Sequence, residues 1–178
     1  MPPARLSSGV YSLNVSLPSS VTALAGRLAR DLPRAQARPR GEHTMVAKRL
    51  GSGDHAAYAR IEARARDALR GTAPFTVRIA GVEQFETAVT GPSPVVYLAV
   101  ESPGLRALHE RLCAEFDPVD GMEGDAYVPH VTVARGGNPA AAERLVDREI
   151  DPVEWTVEDL VFHDAERGQH ASRVSLPA

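Results

Sequence analysis

The chain of 178 residues has few cysteines, lysines and aromatic residues, and it lacks a long apolar run. Cys113 is its only cysteine, so an intramolecular disulfide is excluded. No apolar run reaches the roughly 18 residues that cross a bilayer. The first five residues are followed by no apolar segment of the signal-peptide type. We therefore expect a cytoplasmic protein that has no membrane partner.

A strong charge of either sign is also missing. The net charge is −3 and the isoelectric point is about 6.1, which argues against binding nucleic acid through bulk positive charge. Lys48 is the only lysine, and the other positively charged side chains are arginines. Any anionic ligand must therefore be held by a local cluster of basic groups.

Strand patterns and helix patterns alternate along the sequence, and a hydrophobic content of 43% is enough for a proper core. Alternating apolar residues predict strands at 10–15, 43–50, 75–79, 95–100, 128–134, 155–162 and 172–176. Helical spacing predicts helices that begin near Ser19, Asp54, Leu105 and Pro139. This order predicts an α+β fold with mainly antiparallel sheets.

The predicted elements occur twice in the same order. Tyr97 follows Tyr11 by 86 residues, and His130 follows His43 by 87 residues. Around both histidines the sequence reads His-x-x-Val-Ala-basic. These matched landmarks indicate that the second half of the chain repeats the first.

A third landmark supports the repeat, because residues 75–77 resemble residues 155–157. Chance is the alternative, since short strand patterns recur easily. We favour an internal duplication within one bilobal domain at 1–178, with lobes at about 8–90 and 94–178. The expected architecture is two pseudo-symmetric β-α-β-α-β lobes with antiparallel sheets around a central groove.

Two histidines related by a twofold axis suit phosphodiester chemistry. Such an axis can place His43 and His130 on opposite sides of one cleft, where a neutral imidazole accepts a proton and a charged one donates a proton. Strand alternation puts Thr132 on the face of His130, so its hydroxyl can donate to a phosphate oxygen. The residues predict a general acid–base site that needs no metal or other cofactor.

A zinc site is the competing interpretation, because histidine and cysteine are common zinc ligands. It would need a third or fourth ligand at ligand spacing. The remaining candidates form no such pattern; they are Cys113, His55, His109, His163 and His170. We predict structural or surface positions for His55 and His109, and we assign no role to His163 and His170.

The segment from Tyr127 to Arg135 resembles the second motif of the two-histidine phosphoesterase superfamily, which includes 2′,5′ RNA ligases and RNA 2′,3′-cyclic phosphodiesterases. The family pattern is His, any residue, Thr or Ser, and an apolar residue, and it occurs twice. The residues from His130 to Val133 match it. The resemblance implies a bilobal α+β fold with both histidines in a central groove.

The resemblance also implies an activity. Members of the superfamily hydrolyse 2′,3′-cyclic phosphates without a metal, typically to 2′-phosphates. Some members join or cleave 2′,5′ RNA linkages, and others act on small cyclic nucleotides. For this chain the resemblance implies a hydrolase of RNA processing, with RNA ends or cyclic nucleotides as its substrates, and we expect a monomer.

The first motif departs from the family pattern. It reads His43-Thr44-Met45-Val46, so Met45 stands where Thr132 stands in the second motif. Met45 cannot donate a hydrogen bond, and Thr44 points away from His43 on a regular strand unless a bulge redirects it. Three interpretations stay open: a cyclic phosphodiesterase, a phosphate- or RNA-end-binding module with little turnover, and a structural domain.

Other residues near the motifs have two interpretations each. Lys48 and Arg135, five residues after the histidines, either steer phosphate or are solvated charges at strand ends. Tyr127 either stacks on a base or fills the core. The arginines of the loop before His43 either guide an RNA backbone or only connect two elements; they are Arg34, Arg38 and Arg40.

Overall fold

A computed structural model of the chain describes residues 9–39 and 41–178. Residues 1–8, where no signal peptide is predicted, lie outside the described residues. Arg40 of the arginine-rich loop also lies outside them. Within the described part, no helix is long and apolar enough to span a membrane.

The described residues form nine strands, four α-helices and one 3₁₀ helix. The strands are β1 (Gly9–Val15), β2 (Gln36–Ala37), β3 (Met45–Gly53), β4 (Phe75–Phe85), β5 (Val95–Glu101), β6 (His130–Arg135), β7 (Val153–Val157), β8 (Asp159–Asp164) and β9 (Gln169–Ser175). The helices are α1 (Ser19–Ala29), α2 (His55–Leu69), α3 (Pro103–Cys113) and α4 (Pro139–Val146), and the 3₁₀ helix is Gly124–Ala126.

The strands lie in two antiparallel sheets. One sheet has the order β3-β1-β8-β9, and the other has the order β2-β6-β5-β4-β7. Helices α2 and α3 pack against β3, α1 packs against β6, and α4 packs against β4. A single cluster of buried apolar side chains joins helices and sheets. The predicted α+β class with antiparallel sheets is confirmed.

Each sheet takes strands from both halves of the sequence. β4, from the first half, pairs with β5, and β8, from the second half, pairs with β1. The orders β3-β1-β8 and β6-β5-β4 correspond, so β4 and β8 each complete the sheet of the other half. The boundaries at 8–90 and 94–178 therefore do not separate the two sheets, although the matching orders support the proposed duplication.

This exchange of strands corrects two predictions made from the sequence. Residues 75–77 and 155–157 are not equivalent, because β4 and β7 are neighbours in which Thr76 lies opposite Thr156. The single strand predicted at 155–162 divides into β7 and β8, which lie in different sheets. The apolar pattern continues through both segments, so only their partner strands distinguish them.

Side-chain caps explain where three of the four helices begin. Asp54, Ser102 and Asn138 each accept a hydrogen bond from a backbone N–H of the first turn. Helix α1 begins after Pro18 without a side-chain cap. Burial of its apolar face against the core stabilises α1 instead.

β-bulges interrupt β3, which begins two residues after His43, and β6, which begins at His130. The bulge at Ala47 in β3 matches the bulge at Val133 in β6, and β3 has a second irregularity at Leu50. A bulge shifts the alternation of side chains by one residue. Arg49 and Arg135 therefore project from the same face as the residues three positions before them, and this face forms the candidate site.

Candidate active site

Two adjoining cavities lie beside β3 and β6. The inner cavity has a volume of about 160 Å³ and is lined by both strands and by the loops that precede β5 and β6. The outer cavity has a volume of about 890 Å³ and extends over β1, β3 and the β8–β9 hairpin. Both are lined by Arg38, Thr44, Val46 and Arg49, so they form one continuous cleft.

The inner cavity brings together most of the residues predicted for the site. These residues are Thr44, Tyr127, His130, Thr132 and Arg135. His43 lines the outer cavity instead, and Lys48 lines neither cavity. The two histidines therefore approach the cleft through different cavities.

His130 is held at the wall of the inner cavity by three neighbours. Its Nδ1–H donates to the carbonyl oxygen of Val128 at 2.7 Å, which leaves Nε2 for a ligand. The rings of Phe85 and Tyr97 meet the imidazole edge-on, each with a centroid distance of 5.3 Å. These contacts hold the ring in one orientation and set its tautomer.

The surroundings of His130 keep its ring neutral. Burial lowers the pKa of His130 from the ordinary value of 6.5, and the hydrogen bond to Val128 opposes this shift without cancelling it. The charges of Arg49, Arg135 and Arg38 lower the pKa further. At pH 7 the Nε2 atom of the free protein is therefore ready to accept a proton.

The bulges define which residues of β3 and β6 are equivalent. Counted from the bulges, the equivalent pairs are Thr44 and His130, Val46 and Thr132, and Arg49 and Arg135. Their spacing is 86 residues, so the alignment of His43 with His130 is wrong by one residue. A one-residue shift reverses the face of every side chain. Met45 accordingly lies in the core with 0% exposure.

This register predicts which substitution adds a phosphate donor. Val46→Thr places a hydroxyl where the second motif has Thr132, and one neutral hydrogen bond contributes about 0.5–1.5 kcal/mol, so phosphate affinity should rise about tenfold or less. Met45→Thr is the control. It buries an unpaired hydroxyl, which should lower the free energy of unfolding by about 1–3 kcal/mol without raising affinity. Calorimetric titration and urea denaturation measure the two effects; tighter binding by Met45→Thr would contradict the register.

His43 lies at the outer cavity, one residue before the position equivalent to His130. Its Nδ1 atom is buried and has no hydrogen-bond partner among the described residues. Burial lowers the pKa of His43, and the charge of Arg38 lowers it further. His43 and Arg38 both line the outer cavity, and Arg38 also lines the inner one. A catalytic role for His43 stays a prediction.

Three arginines line the inner cavity, and one of them was predicted from the sequence as a site residue. Arg135 is that residue, and Arg38 belongs to the loop whose role was open. Arg49 was missed. The sequence does carry a signal for it, since Arg49 stands five residues after Thr44 as Arg135 stands five residues after His130.

Lys48 does not reach the cleft. Its side chain is 0% exposed, and its Nζ donates to Glu123 Oε1 at 2.7 Å and to the carbonyl oxygens of Arg49 and Asp117 at 2.7 and 3.2 Å. The bulge at Ala47 turns this side chain into the core. Lys48 therefore has neither of the positions expected from the sequence, since it is neither at the cleft nor a solvated charge at a strand end.

Side chains from the second half of the chain cover the free edge of β3, which pairs with β1 on its other side. Tyr127 Oη and His109 Nδ1 donate to the carbonyl oxygens of Val46 and Ala47 at 2.8 and 2.7 Å. Glu123 accepts from a backbone N–H further along the strand at 2.8 Å. These three side chains hold β3, and with it the cleft, in place.

Tyr127 has the core position that was one of its two interpretations. Tyr127 is 5% exposed, and its ring stacks on the ring of His109 with a centroid distance of 3.7 Å. Burial raises the pKa of Tyr127 beyond its ordinary range, so its hydroxyl stays protonated and donates to the strand. The ring forms part of the cavity wall but has one face already stacked.

His55 and His109 have positions that fit their predictions, and no role was predicted for His163 and His170. His55 is exposed at the start of α2, and His109 is a buried structural residue. His163 and His170 lie side by side at the outer cavity with a centroid distance of 6.0 Å. In the part of the chain that the structure describes, no three His, Cys, Asp or Glu side chains are grouped to hold a metal ion.

The neutral histidines make the stability of the fold depend on pH. Burial lowers the pKa of His109, and also those of His43, His130 and His163. The unfolded chain, with histidine pKa values of about 6.5, then binds more protons than the folded chain, so stability is greatest above pH 6.5 and is lost as the pH falls. We expect the free energy of unfolding, measured in urea, to decrease from pH 7 to pH 5. His109→Gln should show a smaller decrease, and an equal decrease would exclude His109 as a contributor.

A comparison with known families now adds to this geometry. The family model of the 2′-5′ RNA ligase superfamily matches residues 44–169. The chain belongs to this superfamily. The predicted resemblance to the two-histidine phosphoesterases is thereby confirmed, and the coarse activity class of the superfamily is that of a phosphoesterase.

One similar protein is the RNA 2′,3′-cyclic phosphodiesterase of Methanothermobacter thermautotrophicus. The two sequences are 37% identical over 93 residues, which cover 49% of this chain and 47% of the relative. The chain therefore spans about half the length of the curated relative that it matches.

Several solved structures resemble this chain over nearly its whole length. The protein TT0787 of Thermus thermophilus has a TM-score of 0.64 and 22% identity, and the match covers 94% of this chain and 97% of that chain. Escherichia coli LigT complexed with 3′-AMP has a TM-score of 0.69 and 17% identity, with 97% and 100% covered. Kluyveromyces marxianus Usb1 has a TM-score of 0.53 and 12% identity, with 96% and 98% covered. At these identities the likeness shows the fold.

Proposed function

We propose that this chain hydrolyses 2′,3′-cyclic phosphate ends of RNA or small nucleotides without a metal. The observation that carries the proposal is the inner cavity, where the free Nε2 of His130 faces a space lined by three arginines and by the hydroxyls of Thr44 and Thr132. The partial relative named RNA 2′,3′-cyclic phosphodiesterase supports the substrate class. The LigT structures complexed with phosphate and with 3′-AMP support a phosphate ligand in this fold.

In the proposed reaction, water attacks the phosphorus of the cyclic diester and the neutral Nε2 of His130 accepts its proton. The bond from phosphorus to the 3′ oxygen breaks, and a second group must protonate that oxygen. His43 is the candidate for this group, because a bound phosphate anion raises the pKa of a nearby imidazole and makes it an acid. The products are a 2′-phosphate and a 3′-hydroxyl. Joining of a 2′,5′ RNA linkage would use the same two groups in the same roles, with a 5′-hydroxyl as the attacking group in place of water.

The phosphate would be held by cations and hydroxyls from both sheets. Arg38, Arg49 and Arg135 can donate charge-assisted hydrogen bonds to its oxygens. The hydroxyl of Thr132 can donate a further one, and such donors stabilise the charge that develops on the phosphate in the transition state. The larger outer cavity leaves room for the nucleoside or for the rest of an RNA end.

A phosphate- or RNA-end-binding module is the second candidate, and the register of β3 favours it. Thr44 and Val46 occupy the positions equivalent to His130 and Thr132, so the first half offers no histidine at the symmetric position. Turnover of adenosine 2′,3′-cyclic phosphate in the presence of a chelator, followed by ³¹P NMR, separates the two candidates. Hydrolysis to the 2′-phosphate supports the enzyme; binding without hydrolysis supports the module.

The contribution of His43 can be measured in the same assay. We expect His43→Ala to lower turnover by about 10²-fold, the lower end of the range for a positioned proton-transfer group, because the ring approaches from the outer cavity. The control is His55→Ala, which changes an exposed histidine of α2 outside both cavities. Turnover by His43→Ala at the rate of this control would remove His43 from the mechanism.

A further inference from the structure

Three guanidinium groups meet in one small cavity without a counterion there. Arg38, Arg49 and Arg135 line the inner cavity, and no Asp or Glu occurs among its described lining residues. The nearest ion pair is that of Arg49 with Glu123 at 3.7 Å, and this carboxylate is already bound to the buried Lys48 at 2.7 Å. Like charges gathered in this way repel each other unless an anion lies between them.

The three arginines come from separate elements, and the fold brings them together. Arg49 and Arg135 are the equivalent residues that follow the two bulges, and Arg38 follows β2, which pairs with β6. The guanidinium of Arg135 is anchored by donating to the carbonyl oxygen of Thr90 at 3.0 Å. Burial lowers the pKa of Arg135, and the charges of Arg38 and Arg49 lower it further.

We propose that these arginines select a phosphate group with two negative charges, the terminal phosphomonoester of a nucleotide or RNA end, over a singly charged phosphodiester. A phosphomonoester carries about −1.5 to −2 charges at pH 7 and has three strong acceptor oxygens. Each guanidinium can bind two phosphate oxygens at once. The inner cavity, at about 160 Å³, has room for such a group.

This preference deepens the proposed function, on which it rests for the position of the phosphate in the inner cavity. Attack of water on a singly charged cyclic diester, with transfer of the water proton to His130, adds a second negative charge to the phosphate oxygens. A site that complements two charges therefore stabilises the transition state more than the substrate. It also retains the monoester product, so product release should be slow relative to substrate binding.

The test compares two ligands that differ in charge and are not substrates. They are 2′-deoxyadenosine 3′-phosphate and its methyl diester, neither of which can form a cyclic phosphate. For the full chain we expect the monoester to bind about ten- to a hundredfold more tightly, the range of hydrogen bonds to a charged group. Calorimetric titration measures both dissociation constants without any turnover.

Substitutions then identify the source of the preference. Arg49→Gln and Arg135→Gln should each lower the ratio of the two dissociation constants, and the double variant should bring it close to one. Arg38→Gln, in an exposed loop, gives the same test where a strand variant fails to fold. Arg78→Gln is the control, since Arg78 pairs with Glu101 outside both cavities and the ratio should not change.

Two results would overturn the inference: equal binding of monoester and diester by the unmodified chain, or an unchanged ratio in the arginine variants. The proposed function has a separate outcome, because it requires hydrolysis of a cyclic phosphate. A chain that prefers the monoester but hydrolyses nothing supports the arginine site and refutes the enzyme. A chain that hydrolyses the cyclic phosphate without the preference does the reverse.

Discussion

Replacement of His130 by alanine is expected to lower the turnover of a 2′,3′-cyclic phosphate by about 10²- to 10⁴-fold. This ring combines a fixed orientation, a lowered pKa and a place in the inner cavity beside the arginines. Its loss removes proton transfer and leaves the phosphate donors in position. Single-turnover kinetics with adenosine 2′,3′-cyclic phosphate measures the effect, and circular dichroism confirms that the variant is folded.

Two further measurements separate proton transfer from a structural role of His130. Added imidazole should restore part of the turnover of His130→Ala, because a free base can enter the space left by the ring. Thr132→Ala should cost less than His130→Ala, since it removes one donor to phosphate and keeps the imidazole. Turnover by His130→Ala at the unmodified rate would end the acid–base mechanism for this chain.

Replacement of Glu123 by alanine should lower the free energy of unfolding by about 3–5 kcal/mol, the cost of leaving one charge of a buried pair without its partner. Lys48 would keep its ammonium group in the core with two carbonyl oxygens as its remaining partners. Glu123 is held ionised there: burial alone would raise the pKa of its carboxyl, but hydrogen bonds from Arg49 N–H, Lys48 and Val119 N–H lower it. Urea denaturation followed by circular dichroism gives the loss.

The matched control removes the charges together. Lys48→Met combined with Glu123→Gln should cost clearly less than Glu123→Ala, because no unpaired charge remains and the amide oxygen still accepts from the backbone. Asp67→Ala breaks an ion pair with Arg70 in which both side chains are mostly exposed, and it should change stability by less than about 0.5 kcal/mol. A loss no larger than that of Asp67→Ala would show that the buried pair does not stabilise the fold.

The sequence predicts the second motif better than the first, and a bulge explains the difference. His130 and Thr132 share a face by simple alternation, because the bulge of β6 comes after both of them. In β3 the alignment relied on the identity of a histidine, and the true register follows the bulge at Ala47. A bulge depends on how the partner strand pairs, so the pattern of one strand does not contain it.

Long-range pairing accounts for the other differences. The apolar alternation predicts a strand at β4 and merges β7 with β8, and it does not say that β4 and β8 each complete the sheet of the other half. Lysine is usually a surface residue. Lys48 can be buried because Glu123, 75 residues later in the sequence, lies beside it. Arg38 differs from Lys48, because no sequence motif marks this loop arginine as a site residue. It becomes part of the cavity wall because β2, which precedes it, pairs with β6.

The covered edge of β3 has a consequence for the behaviour of the protein in concentrated solution. An unpaired strand edge is a template on which another chain can add a strand, and such addition leads to aggregation. Here the hydroxyl of Tyr127, the imidazole of His109 and the carboxylate of Glu123 occupy the backbone groups that a foreign strand would need. Variants that detach these side chains from β3 would therefore expose an unpaired strand edge to which other chains can bind. We expect such variants to lose solubility before they lose helix content.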